Sequence, residues 1–559
     1  MAFVARFSPS LGTGHDAFSV CNVSPLAKQA ELRSCDHAQL TFVGRVRLDR
    51  RAELLAELRA QGTDLKTDPD DADLVLLVYS VWGKNAVNHL HGDFAFAIHD
   101  AAKSKLFCVR DRIGVRNLVY LHHAGNWWIS DSLAELLQTS KFSSQNYDAV
   151  WIADYLETGV SSDPARSVYA DVKRLVPGHA LCIAGAGARL QRYWQLELGV
   201  PLILGSAGQY LERFEALLSA SLRDRMPAAT VGIMLSGGLD SSTLAALSAE
   251  LTGADRVTGL TMLVCPYRDP ETAASRAVAA HLGIRHRQID TDQLRYDPRW
   301  YDAKTSTAEP AMAVTMPRAH AAMTHAMARD SGVWFFGEGP DNALTFEWRS
   351  YLRWLWRNGK WGLLLTSIAT YLRTKSLREW RTTSAVWSGR QTTFWPEPDT
   401  PWVRQPDRPA SSGGNPDPSW RPVALTNLRG PLWPAFLEAL DAQHAAAGID
   451  WRHPYLDLRL LEFMLHTPPI PWARRKRLIR QAMALRLPRS ILRRDKTPLH
   501  HDLYSEFLRS DMPPMPRKGA KVEAFVAIEK LPEKAASAED CNALLRVAIL
   551  DHWLNLHGS

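Results

Sequence analysis

The stretch VGIMLSGGLDSS, residues 231–242, decides the fold of the larger part of this 559-residue chain. An apolar run, 231–235, stops at a Ser-Gly-Gly turn, and an Ala- and Leu-rich segment, 243–251, follows it. That order indicates a buried strand, a tight turn and the N-terminus of a helix. Such a turn directs backbone N–H groups and the positive end of a helix at one point, so the stretch predicts a phosphate-binding site.

The hydroxyl and carboxyl groups of this turn extend the prediction. Serine hydroxyls add hydrogen-bond donors, and the carboxylate of Asp240 suits a magnesium ion on the phosphates. The Gly-Lys-Ser/Thr ending of a P-loop is missing from the motif. The segment 236–241 instead resembles the SGGxDS pyrophosphate loop of ATP pyrophosphatases, which split ATP into AMP and pyrophosphate.

Composition sets the broad class. The length of 559 residues is enough for two to four domains. An apolar content of 46% and a charged content of 22% predict that they are globular. The net charge of +7 suits an anionic ligand such as ATP or an acidic peptide, and does not require nucleic acid. We expect no membrane span, because no uncharged apolar run reaches roughly 18 residues. The N-terminus lacks a signal-peptide pattern and the six cysteines form no CxxC pair, so a reducing, cytoplasmic setting is expected.

Residues 1–195 consist of short apolar runs separated by turns, such as 40–48, 94–98 and 106–110, with one helical pattern at 51–61. Strand-rich sheets with a few helices predict an α+β sandwich.

After residue 207 the pattern changes to alternating strands and helices. The predicted strands are 231–235, 257–264, 285–290 and 332–336. They indicate a parallel sheet with crossover helices, in which ligands bind beyond the C-terminal strand ends. The Pro- and Trp-rich segment 383–431 predicts a mobile lid or, equally, a plain linker.

Two further segments carry chemistry. WFFGEGPDN, residues 334–342, again ends an apolar strand in Gly-x-Gly followed by acidic residues, which suit magnesium binding or proton transfer. WRHPYLD, residues 451–457, precedes the basic residues of 474–480 and 493–496, whose charge would stabilise a departing pyrophosphate. For Arg474, Arg475 and Arg477 individually, a solvated basic helix face is the favoured interpretation.

These three segments, in this order, resemble the asparagine synthetase superfamily. Its motifs SGGLDSS, SGEGADE, RxPFLD, K-x-x-LR and R-x-K correspond here to SGGLDSS, FGEGPDN, RHPYLD, KRLIR and RDK. GDFAFAI (92–98) and RDRIGVRNL (110–118) resemble the superfamily's N-terminal part. The resemblance implies an α+β Ntn-hydrolase-like (glutaminase-like) sandwich at 1–200. It implies that an α/β adenine-nucleotide α-hydrolase (PP-loop ATPase) synthetase domain follows at 205–559, with an insertion near 383–431.

The chain departs from the superfamily's pattern at two places. The glutaminase needs a cysteine at position 2, whose α-amine serves as base for the thiol, and this chain has Ala2. We therefore expect no glutamine hydrolysis, with the N-terminal domain serving as a scaffold or a peptide-docking surface. Pro340 and Asn342 replace the family's Ala and Glu, and the lost carboxylate argues for a changed acceptor or nucleophile.

Two groups in the superfamily also lack glutaminase chemistry, the β-lactam synthetases and the lasso-peptide macrolactam cyclases. RHPYLDLRLLEFMLHTPP (452–469) and RRDKTP (493–498) resemble the lasso-peptide cyclases most. This resemblance implies an ATP-dependent, AMP-forming carbon–nitrogen ligase. It would adenylate an Asp or Glu side chain of a precursor core peptide, and the peptide's N-terminal amine would close a macrolactam ring.

The resemblance also assigns roles at the site, with ATP and Mg²⁺ as cofactors. The nucleotide-binding residues would be Leu235, Ser236, Gly237, Gly238, Asp240, Ser241, Ser242, Met262, Phe336 and Gly337. Asp240 and Asp341 would hold the metal, with Met262 and the Gly337 backbone near the adenine. Glu338, Lys476 and Lys496 would be catalytic, Glu338 toward the amine and the two lysines toward the leaving groups.

The expected partners are the core peptide and, from the same pathway, a leader peptidase and a leader-binding protein. Three alternatives stay open at this point. They are an ammonia-dependent asparagine synthetase, a small-molecule amide synthetase of the β-lactam type, and a non-enzymatic scaffold.

Overall fold

The computed structural model places two antiparallel sheets in the N-terminal third of the chain and one parallel sheet in the remainder. It describes all residues except 1, 10–16, 24–29, 36–38, 66–68, 186, 263–269, 290–296, 298, 303–306, 375–399, 408–418, 445–446, 495–512, 533–536 and 558–559. Lys496 and much of the 383–431 segment therefore lie outside the described residues.

The N-terminal part is a two-sheet sandwich covered by helices. Its strands are β1 (Phe3–Phe7), β2 (Phe18–Val23), β3 (Ala30–Cys35), β4 (Leu40–Leu48), β5 (Gly92–Asp100), β6 (Lys105–Arg110), β7 (Val119–His123), β8 (Asn126–Ser130), β9 (Val172–Arg174), β10 (His179–Ala184) and β11 (Gly187–Arg192). Its helices are α1 (Arg51–Ala60), α2 (Asp71–Trp82), α3 (Leu133–Ser140) and α4 (Ala149–Thr158). The sheet orders are β2-β1-β8-β7-β9 and β11-β10-β6-β5-β4-β3.

Alternation along β5 explains why this sheet has two buried faces. Ala95 and Ala97 point into the core between the two sheets, together with Phe3 and Ile129. Phe94, Phe96 and Ile98 point the other way, in a separate core with residues of α1 and α2. Successive residues of a strand face opposite sides of the sheet. Because residues 94–98 are all apolar, both faces of the sheet need to be covered, as they are here. The predicted α+β sandwich is confirmed.

The C-terminal part is a parallel five-stranded sheet with helices around it. Its strands are β12 (Val231–Met234), β13 (Val257–Met262), β14 (Arg285–Ile289), β15 (Val333–Phe335) and β16 (Asp450–Arg452). Its helices are α5 (Ala207–Arg225), α6 (Leu239–Thr252), α7 (Pro270–Leu282), α8 (Pro317–Asp330), α9 (Pro340–Ala343), α10 (Trp348–Arg357), α11 (Trp361–Thr374), α12 (Pro422–Arg429), α13 (Leu432–His444), α14 (Leu458–His466), α15 (Pro469–Trp472), α16 (Arg477–Ala482), α17 (Arg489–Arg493) and α18 (Ala538–His557).

The strand order β14-β13-β12-β15-β16 puts the predicted phosphate strand, β12, at the centre of this sheet. All four predicted strands are present, and every neighbouring pair is parallel. The fifth strand, β16, was not predicted. Gly232 of β12 is required by its neighbour, because a Cβ there would lie 2.3 Å from the indole ring of Trp334.

Several aromatic or aliphatic side chains of the 383–431 segment are packed in cores. Trp402 and Val403 lie in a core with residues of α4 and α18, and Trp420 is 1% exposed against Tyr351. The expectation of a lid or linker stays a prediction, because the run 406–416, on which it mainly rests, lies largely outside the described residues.

Buried ion pairs join the two parts of the molecule. Arg45 of β4 donates to Asp441 of α13 at 2.5 Å, and Arg116 donates to the same carboxylate at 2.9 Å and also to Asp450 of β16. Arg225, at the end of α5, pairs with Asp49 at 2.9 Å. These contacts fix the edge of the parallel sheet against the sandwich. Among the described residues, no helix is long and apolar enough to cross a membrane.

Candidate active site at the 236–242 turn

The turn after β12 is held in a conformation that requires glycine. Gly237 has φ +70°, in the left-handed region. A Cβ on this residue would lie 2.5 Å from the backbone N of Ser275 and 2.7 Å from the Cβ of Ala274. The chain therefore passes directly against α7 before α6 begins at Leu239, four residues earlier than the predicted helical segment.

Two serine hydroxyls shape this turn. The backbone N–H of Ser236 donates to the Oγ of Ser241 at 3.3 Å, and the two hydroxyl oxygens lie 3.1 Å apart. The N–H of Gly238 donates to the Oγ of Ser236 at 3.2 Å. The loop is thus already folded around its own hydroxyls, with the first turn of α6 beside it.

Leu235 and Ser242 occupy the less accessible ends of the motif. The Leu235 N–H donates to Leu260 at 2.8 Å, and its carbonyl accepts from Thr261 at 2.6 Å, so both backbone groups are used by β13. Leu235 therefore shapes the site and supplies no spare donor. Ser242 is fully buried in α6, and its hydroxyl has no hydrogen-bond partner in the described part of the chain. A nucleotide contact by Ser242 stays a prediction.

The second glycine turn, after β15, packs against the first. A Cβ on Gly337 would lie 3.2 Å from the backbone N of Ser241, so the two strand ends meet. Glu338 is partly exposed at this junction. Phe336 directs its ring away into an aromatic cluster, 5.6 Å from Phe436 and 5.7 Å from Trp451 between ring centroids. A nucleotide contact by Phe336 stays a prediction.

Lys476 brings the two predicted metal ligands together. Its Nζ lies 2.7 Å from the Asp341 carboxylate and forms a short ion pair with Asp240. Burial, the largest effect, lowers the pKa of Lys476, but the two carboxylates outweigh it, and the pKa lies above its ordinary value. The site thus contains the protonated ammonium group of Lys476 between the carboxylates of Asp240 and Asp341, beside the turn 236–238.

Local backbone geometry sets the position of this lysine. Arg475 and Lys476 both have left-handed φ angles, +49° and +51°. Such angles are uncommon outside glycine and need support from neighbouring structure. Arg480 supplies it by donating to the carbonyls of Arg475, at 2.6 Å, and Arg494, at 2.8 Å.

Two residues at the site had no assigned role in the sequence. The Tyr455 hydroxyl, on a fully buried side chain, donates to the backbone carbonyl of Asp240 at 3.1 Å. Arg494 donates to the carbonyl of Gly237 at 3.2 Å. Tyr455 belongs to the motif RHPYLD and Arg494 to the motif RRDKTP, so the sequence indicated both residues. It did not indicate the backbone carbonyls that accept their hydrogen bonds.

Met262 lies at the C-terminal end of β13, next to β12 in the sheet, and is 42% exposed. It is thus on the ligand-binding edge, where an adenine contact was predicted. Arg475 is exposed and Arg474 and Arg477 are half-buried, so the interpretation as a solvated basic face stays a prediction. The three arginines line a cavity of about 530 Å³ with Arg480 and Arg493.

Two sequence profiles together cover nearly all of the chain. The model of the family described as Asparagine synthase matches residues 213–555. The model of the family described as Glutamine amidotransferase domain matches residues 5–194. The first covers more than half of the chain, so this protein belongs to the asparagine synthase family. Members of this family are ATP-dependent carbon–nitrogen ligases that form AMP.

Individual related proteins match the chain over shorter stretches. Asparagine synthetase [glutamine-hydrolyzing] 3 from Bacillus subtilis is 28% identical over 35% of this chain and 32% of its own length. A protein described as an amidase from Penicillium rubens is 26% identical over 43% of this chain and 35% of its own. The chain therefore spans about a third of the length of these relatives. A solved glutamine phosphoribosylpyrophosphate amidotransferase from B. subtilis is 12% identical over 51% of this chain and 59% of its own, with a TM-score of 0.24.

Proposed function

We propose that this protein is a lasso-peptide cyclase. It uses ATP to adenylate an Asp or Glu side chain of a precursor core peptide, and the peptide's N-terminal amine then closes an isopeptide ring. The observation that carries the proposal is the convergence of Asp240, Asp341 and Lys476 beside the phosphate turn. This constellation suits cleavage of ATP between its α- and β-phosphates.

In the first half-reaction, the peptide carboxylate attacks the α-phosphorus and pyrophosphate leaves. The turn 236–241 binds the phosphates, with the adenine near Met262 and the Gly337 backbone. Asp240 and Asp341 would hold Mg²⁺, and their convergence on one ammonium supports a fit to a cation of the kind that prefers carboxylate oxygens. When bound, the ion neutralises charge on the phosphates. Lys476 and Lys496 stabilise the charge on the pyrophosphate.

In the second half-reaction, the N-terminal amine attacks the acyl carbon, its proton passes to Glu338, and AMP leaves. Holding amine and acyl group at attack distance can contribute roughly 7–11 kcal/mol to lowering the barrier. Both reacting groups belong to one peptide, so no external ammonia is needed.

The N-terminal sandwich then has a structural role in place of glutamine hydrolysis. Ala2 is 4% exposed, and the N–H of Phe3 donates to Asp131 at 2.8 Å. The other oxygen of Asp131 lies 3.5 Å from the buried Arg45 guanidinium. A substrate amide would have to displace this buried network to reach the start of β1. We therefore propose that domain 1–200 acts as a scaffold for the synthetase domain 205–559.

A direct test combines the purified full chain with ATP, Mg²⁺ and a synthetic core peptide encoded in a neighbouring reading frame, with its leader removed. The account predicts peptide-dependent AMP and pyrophosphate, and a product lighter by one water. An Asp240→Asn variant should retain the fold and lose all three products. If the peptide is unchanged and AMP is absent, the proposal is wrong.

A second candidate is supported by the relative from Bacillus subtilis, which is an asparagine synthetase. An ammonia-dependent asparagine synthetase, or a small-molecule amide synthetase of the β-lactam type, would use the same ATP site. Pyrophosphate release that depends on aspartate and ammonia, without peptide, would favour the asparagine synthetase. A leader peptidase and a leader-binding protein are proposed partners only for the cyclase.

A further inference from the structure

The helical hairpin formed by α10 and α11, residues 348–374, carries an unusual concentration of exposed apolar side chains. Eleven large hydrophobic residues of the described chain are exposed, and five of them lie on this hairpin. These five residues are between 37% and 67% exposed. The five are Trp356, Trp361, Leu365, Ile368 and Leu372. Clustering of this kind marks an interaction surface, whereas single exposed apolar residues are ordinary.

The exposed residues form one continuous face. Positions 361, 365, 368 and 372 recur every three or four residues, so they line one side of α11 over about 17 Å. Trp356 extends this face across the turn, with its ring 4.6 Å from that of Trp361. The opposite side of the hairpin packs against the rest of the protein, because Leu355 and Leu364 are buried in a core with Trp420. The outer face is therefore built on a fixed support.

The charges on the hairpin itself all have one sign. Residues 348–374 contain no Asp or Glu. The same segment carries four exposed cations, which are Arg353, Arg357, Lys360 and Arg373. A two-fold dimer through this face would bring two cationic surfaces together, which is unfavourable. The composition of the face therefore favours a partner that is apolar and negatively charged.

We propose that the 348–374 hairpin docks the protein on the surface of anionic lipid bilayers. Its apolar face inserts at the boundary between headgroups and acyl chains, and its cations contact lipid phosphates. Leu and Trp on one face with Lys and Arg around them is the pattern of interfacial helices, and paired tryptophans suit the headgroup level. A protruding helix face fits a deformable lipid surface better than a rigid protein, whose helix partners normally sit in grooves.

Co-sedimentation of the full chain with vesicles tests this proposal. One set contains phosphatidylcholine alone and the other adds phosphatidylglycerol. Binding is expected only with phosphatidylglycerol, and it should weaken as salt is raised. The Arg357→Gln/Lys360→Gln variant should bind about fivefold more weakly for each cation removed. Leu365→Glu/Leu372→Glu should bind no vesicles, while its circular dichroism and melting temperature stay near wild type because both positions are exposed.

Matched controls place the same changes elsewhere. Lys518→Gln/Lys530→Gln removes two exposed cations, and Leu190→Glu/Leu485→Glu alters two exposed leucines outside the hairpin. Both should bind vesicles as the wild type does. Absence of binding to phosphatidylglycerol vesicles at low salt would overturn the proposal, as would binding that the hairpin variants leave intact. A solution dimer that Leu365→Glu/Leu372→Glu converts to monomer would assign the face to self-association instead, and would also overturn it.

Discussion

Lys476 contributes the cation on which the candidate active site is centred. Replacing it by Met leaves the carboxylates of Asp240 and Asp341 close together without their shared ammonium. Since the same charge would meet the leaving pyrophosphate, AMP formation should fall about 10²- to 10³-fold. Steady-state AMP release checks this prediction. Lys530→Met, at an exposed position, is the control and should be unaffected. A Lys476→Met enzyme with wild-type turnover would remove this lysine from the mechanism.

Gly237 can be tested by adding one methyl group. Gly237→Ala places a Cβ 2.5 Å from the backbone of α7 and forces a left-handed alanine, which alone costs about 1–2 kcal/mol. We expect lower stability in urea unfolding and loss of ATP binding by calorimetry. Gly362→Ala is the matched control, because its Cβ meets nothing within 4 Å and it lies inside α11. That change should be neutral or stabilising. Equal behaviour of the two variants would contradict the close contact.

At the residue scale, the sequence predicted what the motifs encode directly. The turn at 236–238 and the closeness of Asp240 to Asp341 follow from neighbouring strand ends, whereas Lys476 was placed at the site by the resemblance to the superfamily. The donors from Tyr455 and Arg494 were not predicted, because both contact backbone carbonyls far away in sequence. A backbone carbonyl carries no side-chain signature, so no pattern in the sequence points to such a partner.

At the element scale, one buried pair holds the start of α12. The Glu347 carboxylate accepts from the N–H groups of Val423, at 2.6 Å, and Ala424, at 3.1 Å, so it caps this helix. Arg421 is fully buried, donates to Glu347 at 3.3 Å, and reaches the carbonyls of Leu465 and Thr467. The pair thus ties α12 to the end of α14.

Arg421→Met should therefore destabilise the protein by about 3–5 kcal/mol, because Glu347 would remain buried without its cation. Chemical denaturation measures the change. Arg223→Met, at an exposed position on α5, should shift the free energy of unfolding by less than about 0.5 kcal/mol. A similar small shift for Arg421→Met would show that α12 does not depend on the pair.

Element prediction succeeded where strands and helices alternate regularly. The strands β12, β13 and β15 follow apolar runs. Strand β14, RHRQI, is mostly polar and was predicted from its place in the alternation. By contrast, β16 is only three residues long and has charged residues at both ends, Asp450 and Arg452. The Asp450 carboxylate is buried and accepts from Arg116 and Arg452, so its charge is compensated in three dimensions. Sequence patterning treats the same residues as a polar loop, which explains why this strand was missed.

At the scale of the whole molecule, Asp441 joins the sandwich to the parallel sheet. Burial, the largest effect, raises its pKa, but Arg45 and Arg116 outweigh it, so the pKa of Asp441 lies below its ordinary value of 3.8. A carboxylate with a lowered pKa stabilises the folded state above that ordinary value, and this contribution is lost as the pH falls toward the folded-state pKa.

Asp441→Asn should therefore lower stability at neutral pH and reduce the loss of stability on acidification below about pH 4. Denaturant unfolding of both proteins at several pH values checks the sign. An identical pH slope in wild type and variant would contradict the role of this carboxylate at the interface.

The division of the chain into a sandwich and a parallel sheet was predictable, because each has its own periodicity. The contacts between the two were not. Arg45 and Asp441 are 396 positions apart, and Arg116 and Asp441 are 325 apart, and each looks like an ordinary surface charge in sequence. Only packing of the two parts makes these charges buried and mutually dependent.

The central claim is that a peptide carboxylate is activated on the α-phosphate of ATP and then captured by an amine of the same peptide. The most direct measurement labels the acceptor carboxylate of the core peptide with oxygen-18 and follows the label by mass spectrometry. The account predicts AMP carrying one labelled oxygen, together with a peptide lighter by one labelled water. Labelled inorganic phosphate with ADP, or unlabelled AMP beside an unchanged peptide, would contradict it.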